Sequence, residues 1–130
     1  MRIAVSSESK NGLDSIVAEH FGRCPAFVLV DVDNGVPGAV ESIDNPFYPQ
    51  HEPGQVPNFV ASQGAHVMLT GGMGGRAIMF FQEAGIEAVT GACGTVRQAL
   101  ELYLSGGLQS AAPCSESVEH GHGDVHGHNC

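Results

Sequence analysis

The sequence predicts a single α/β domain built on a mixed sheet, and three observations carry that prediction. Apolar runs of strand length open the chain at Met1 to Ser6 and recur at Ala26 to Asp33. The second run is followed by Asn34-Gly35, a strong hairpin signal. From Val56 onward, helical patterns alternate with short apolar segments, which is the rhythm of parallel strands joined by crossover helices.

Taken in order, Met1 to Ser6 reads as a buried strand, and Ser7 to Asp14, with Asn11-Gly12 inside it, as a loop. Phe27, Val28, Leu29, Val30 and Val32 make the second strand, and the hairpin leads to a third around Ala39 to Ile43. These three form an antiparallel meander. Between Asn45 and Pro57 stand four prolines, Pro46, Pro49, Pro53 and Pro57, which cannot donate to a ladder and so predict an irregular connection. Val56, Phe59 and Val60 then fit a short helix with Pro57 in its first turn and Gln63-Gly64 past its end. His66 to Thr70 reads as strand, Gly75 to Ala84 as helix closed by Gly85, and Ile86 to Thr90 as strand. Val96 to Leu104 is the last helix. Thr95 and Gln98 make a capping box, Val96, Ala99, Leu100, Tyr103 and Leu104 one apolar face, and Gly106-Gly107 a stop.

A chain of 130 residues with 42% apolar content supports one core. Its net charge of -9 repels phosphate backbones, so nucleic acid is excluded as a partner. Met1 to Val5 lacks the features of a secretory signal, and no run reaches membrane-spanning length, so a cytoplasmic protein with no membrane partner is expected. In that compartment Cys24, Cys93, Cys114 and Cys130 are expected to remain thiols. Past Gln109 the composition changes, with no aromatic residue and no Lys or Arg. Residues 1–109 are therefore assigned to the domain and 110–130 to a flexible tail. The tail carries Cys114 and, in its last eleven residues, His120, His122, Asp124, His126, His128 and Cys130, a donor density that predicts a bound transition-metal ion.

Ligands of open α/β sheets collect beyond the carboxyl ends of parallel strands. Three loops meet that description. The first holds His20, Phe21, Gly22, Arg23 and Cys24; the second Gly71, Gly72, Met73, Gly74, Gly75 and Arg76; the third Gly91, Ala92, Cys93, Gly94 and Thr95. The glycine loop could present N–H groups to an anion, or its glycines could simply permit a tight turn; it matches neither nucleotide-binding pattern. His20 and Cys24, four apart, would share one side of a helical turn and suit iron, copper or zinc, although Pro25 interrupts a helix there. Cys93 lies between residues of a helix entrance, where a thiolate forms more readily, or else it fills core space. No Cys-x-x-Cys pair supports a closed zinc site.

These residues give the chain a resemblance to the dinitrogenase iron-molybdenum cofactor biosynthesis family over about Met1 to Gln109. The resemblance is carried by Ile3-Ala4-Val5, Glu19-His20-Phe21-Gly22-Arg23, Asn45-Pro46, Val56-Pro57-Asn58-Phe59, Gly71-Gly72-Met73-Gly74, Ala77, and the Gly91 to Val96 turn leading to Tyr103-Leu104-Ser105-Gly106. It implies a ribonuclease H-like fold, a five-stranded mixed sheet in the order 3-2-1-4-5. It also implies an iron–sulfur or iron–molybdenum cluster, or its precursor, as cargo, with His20 as the cofactor-holding histidine and with donor and acceptor proteins as partners. Two features depart from the family pattern. Cys93 stands where a small residue such as serine is frequent, and the His/Cys tail lies outside the shared domain. A nuclease is excluded on chemistry, since Arg2 to Ser6 and His66 to Thr70 contain no carboxylate for two-metal cleavage. No nucleophile, base and orienter are paired either, so the chain is read as a non-enzyme. Three readings follow: a cluster carrier; a metal-ion buffer or metallochaperone working through the tail; and a metal-free regulatory module that senses anions.

Overall fold

The computed structural model describes residues 1–48, 52 and 54–111. Five strands, β1 (Arg2–Ser7), β2 (Ala26–Asp33), β3 (Val36–Asp44), β4 (Val67–Leu69) and β5 (Glu87–Val89), form one sheet in the order β3-β2-β1-β4-β5. β1, β2 and β3 are antiparallel neighbours, and β1, β4 and β5 run parallel. The meander, the crossovers and the ribonuclease H-like strand order are therefore as the sequence and the resemblance predicted.

The hairpin turns on Asn34 and Gly35, both at positive φ (54° and 77°), which is what a two-residue turn between right-twisted strands requires. β3 is longer than expected. Pro37-Gly38 argues against a strand, yet β3 is the sheet edge and its register against β2 shifts between Val30 and Val32, and edges and bulges are where a sheet tolerates proline.

Alternation along β1 sets the two layers. Ile3 and Val5 face a core shared with Val28, Val30, Leu69, Val89 and the α3 residues (α3, Val96–Leu104) Val96, Ala99 and Leu100. Ala4 faces the opposite core, with Phe27, Leu29, Met68 and Phe81, under α1 (Gln55–Ser62) and α2 (Gly75–Glu83). β1, covered on both faces, is buried from Ile3 to Ser7. On the α1/α2 side, Phe21 stacks edge-on against Phe81 at 5.4 Å and tilts against Phe27 at 6.1 Å.

Ordered pairing extends two residues past the expected boundary. Ser110 bridges to Val89, the Ala111 N–H donates to the Ala88 carbonyl at 2.7 Å, and Glu87 accepts from the Tyr103 and Ser110 hydroxyls. The expected tail ligands Cys114, His120, His122, His126, His128 and Cys130 lie outside the described residues.

Candidate functional site

The three loops beyond β1, β4 and β5 are stitched to one another by backbone hydrogen bonds. Gly71 N–H donates to the Ala18 carbonyl (3.1 Å) and Phe21 N–H to the Gly72 carbonyl (2.9 Å), joining the first loop to the second. Gly91 N–H donates to Gly71 (3.0 Å), and Val17 N–H to Gly94 (2.8 Å), joining the third to both. Beneath them, the fully buried Ser6 hydroxyl donates to Thr70 at 2.7 Å, so even the strand ends are linked by satisfied polar groups. Gly71 is required by this closeness: a Cβ there would lie 2.8 Å from the Glu19 carbonyl oxygen.

A cleft of about 590 Å³ opens at the first two loops, lined by His20, Phe21, Gly22, Arg23, Gly72, Met73 and Gly74. His20 is well exposed, its side chain 63% accessible, and its Nε2 lies 3.8 Å from the still more exposed Glu19 carboxylate. Such a pair is worth little in water, so the imidazole stays available to a ligand. Gly74 begins α2 without a side-chain cap and at an ordinary φ of −70°, and a Cβ there would meet nothing within 4 Å. Neither conformation nor packing demands glycine at this position. What its bareness does is leave the cleft floor open and the first N–H groups of α2 accessible.

Cys24 is a correction to the expected ligand set. It is wholly buried, its Sγ donates to the Phe21 carbonyl at 3.2 Å, and burial pushes its pKa up to about 12, so it is a core thiol rather than a thiolate. The physical reason is local. The chain from Phe21 to Arg23 is a short 3-10 turn pinned by the buried Phe21 ring, so the four-residue spacing from His20 does not act as a helical turn. Gly71, Gly75 and Cys93 do not line the cleft. Gly71 anchors the loops, Gly75 is the first residue of α2, and the half-buried Cys93 is disulfide-bonded, not the thiol expected. Among the described residues, no three His, Cys, Asp or Glu side chains gather into a metal-holding group.

Asn45 carries a role that the sequence did not reveal. Its buried side chain donates to the Cys24 carbonyl at 2.8 Å and accepts from the Phe47 N–H at 3.0 Å, holding the proline-rich connection against the first loop. An Asn preceding a Pro after a strand is the signal that could have pointed to it.

Fold and cleft together define a small α/β domain with an open cleft at the rim beyond its parallel strands. The chain belongs to the dinitrogenase iron-molybdenum cofactor family, whose model matches residues 1–106. Among solved structures, that of PH0822 is 38% identical with a TM-score of 0.74, spanning 85% of this chain and 96% of that one. The apo form of the orange protein from Desulfovibrio gigas is 37% identical with a TM-score of 0.75, spanning 86% and 93%. The Methanocaldococcus jannaschii protein MJ0580 is 26% identical over 95 residues, 72% of this chain and 80% of that protein. Membership links the chain to nitrogenase-related metallocluster biosynthesis and makes it a cofactor-associated domain. No helix among the described residues is long and apolar enough to cross a membrane.

Proposed function

We propose that this chain is a cytoplasmic carrier, not an enzyme, which holds an iron–sulfur or iron–molybdenum type cluster or its precursor between donor and acceptor proteins. One observation carries the reading: an exposed imidazole, His20, shares a cleft with a bare glycine turn and with Arg23, in a family tied to the iron-molybdenum cofactor. His20 would ligate a metal of the cargo, Arg23 and the N–H groups about Gly72 to Gly75 would meet its sulfide charge, and Phe21, Gly22 and Met73 would shape the seat. Cys93 could join as a ligand only after reduction of its disulfide. A single imidazole plus hydrogen bonds suits cargo that must be released, whereas four cysteines would retain it.

Anaerobic reconstitution with iron, sulfide and molybdate tests this. Wild type should gain visible charge-transfer absorption and His20→Ala should lose or shift it. A colourless wild type, or an unchanged spectrum in the variant, would refute the reading. The donor-rich sequence from His120 to Cys130 favours a second reading, a metal buffer or metallochaperone. Truncation is best placed after Ala111, since Ser110 and Ala111 pair with β5. Loss of all bound metal in that truncated form supports the buffer, and a retained chromophore supports the carrier.

A further inference from the structure

Cys93 is disulfide-bonded, and the chain has three other cysteines. Cys24 is not the partner: it is a free thiol, buried in the core under α1 and α2, and it donates to the Phe21 carbonyl. Cys114 and Cys130 are the cysteines that remain, and both belong to the sequence past Ala111. Ser110 and Ala111 still pair with β5, so the described chain ends against the strand that leads into the Cys93 loop.

Two features make this bond a switch rather than a staple. In the reducing compartment proposed above, disulfides are the transient, redox-sensing ones. Cys93 is half-buried and so within reach of a dithiol, whereas Cys24 is sealed and its thiol, pushed up to about 12, supplies no thiolate to compete in exchange. The loop that carries Cys93 is also a firm anchor. Gly91 N–H donates to Gly71, Gly94 accepts from Val17, and the Val96 N–H donates to the Ser15 carbonyl at 2.8 Å. A segment fastened at Cys93 is fastened to the frame of the domain, and its release leaves that frame in place.

We propose that the Cys93 disulfide is a redox latch, fastening the sequence past Ala111 to the third loop through Cys114 or Cys130, and that its reduction frees a thiol there to bind a divalent ion such as zinc. The proposal rests on the metal-buffer reading, since His120, His122, His126 and His128 would supply the other donors. A dithiol of the thioredoxin class is the reductant. One of its thiolates attacks a sulfur of the bond and displaces the other as a thiolate; its second thiolate then attacks the mixed disulfide and releases the first. Two electrons pass to the Cys93 pair, the dithiol becomes a disulfide, and its two protons end on the two freed thiols. A disulfide sulfur is a poor ligand, whereas a thiolate beside imidazoles meets the tetrahedral preference of zinc, which displaces the thiol proton on binding.

The test uses the full chain, either oxidised or reduced with a dithiol that is then removed without oxygen, and zinc as the probe. Peptide mapping of the oxidised, alkylated protein should find Cys93 joined to Cys114 or to Cys130 of the same chain. A Cys93 that alkylates, or a bond between two copies, would overturn the proposal. Reduced wild type should bind zinc at least ~10-fold more tightly than oxidised wild type, a difference of about 1.4 kcal/mol. Cys93→Ser, prepared without oxygen, should bind as reduced wild type does whether or not it has met dithiol, because Cys93 is the latch and not a ligand. Equal zinc affinity in oxidised and reduced wild type, or a Cys93→Ser protein that binds no more tightly than oxidised wild type, would overturn the latch and leave the buffer reading standing. A reduced wild type that binds no zinc would overturn both, and the carrier reading is tested apart from either by its visible chromophore.

Discussion

α2 and α3 both begin where a parallel strand ends, yet the chain closes one start and leaves the other open. Before α3, Thr95 Oγ1 accepts from the Gln98 N–H at 3.1 Å and the Gln98 side chain accepts from the Thr95 N–H at 2.9 Å. Gly94, at φ 79°, makes room for that return, since a Cβ there would run into the Gln98 side chain. The cap at this start is made by its own helix, and its glycine is needed to let that cap close. Before α2, Gly74 offers no side-chain cap, has no steric reason to be glycine, and precedes a first turn without an acidic residue. The contrast separates a glycine that the fold requires from one that it does not, a distinction that glycine-rich sequence alone does not make.

The largest effect should come from the residue that fixes the open rim in place. Gly71→Ala sets a Cβ 2.8 Å from the Glu19 carbonyl oxygen and 2.9 Å from the Glu19 Cα, backbone atoms that cannot rotate away. We expect about 1–3 kcal/mol of destabilisation by denaturant titration, as for other forced overpacking, together with loss of cluster binding because the His20 loop must move. Unchanged stability would mean that the two loops are not as closely joined as their hydrogen bonds indicate.

At the closed start, Thr95→Ala should remove the half of the capping box that the Thr95 hydroxyl makes, leaving the backbone N–H at position 95 to donate to Gln98. The expected cost of losing that one bond is about 1 kcal/mol, read as a fall in Tm of roughly 4–6 °C for a domain of this size. Cluster affinity should be unaffected, since Thr95 does not line the cleft. A variant that folds normally but binds poorly would place the third loop inside the site and weaken the comparison.

How much of this was legible in the sequence depends on the distance over which each signal acts. β2 and α3 have the bounds that pattern predicts, Ala26–Asp33 and Val96–Leu104, because a hairpin turn and a capping box announce themselves within four residues. β4 and β5 are shorter than the apolar runs that predict them. His66 and Ile86 lie just before those strands rather than within them. The site was harder. His20 and the glycine loop were identified and do share a cleft, but Cys24 was misplaced, because only the Phe21 anchor shows which way the turn faces. Arg76, read in the sequence as the end of the glycine loop, is the second residue of α2, and among the described residues it has no ion-pair partner, which is a property of three dimensions.

The smallest effect on stability should accompany a clear effect on function, and it bears most directly on the comparison. Gly74→Ser gives α2 the kind of start that α3 has. The backbone at Gly74, φ −70° and ψ 160°, is close to that of Thr95, φ −84° and ψ 162°, so a serine hydroxyl is placed to accept from the first turn without strain. Stability should rise by only a few tenths of a kcal/mol, the usual difference between serine and glycine at this position. Cluster binding should nonetheless fall, because the hydroxyl takes an N–H otherwise available to the cargo and its Cβ enters the cleft that Gly74 lines. Gly74→Ala separates the two causes: it fills the same space without capping, so a loss shared by both variants assigns the effect to space, and a loss confined to serine assigns it to the N–H. Full binding in both would show that the open start of α2 is incidental, and the contrast with α3 would then carry no functional meaning.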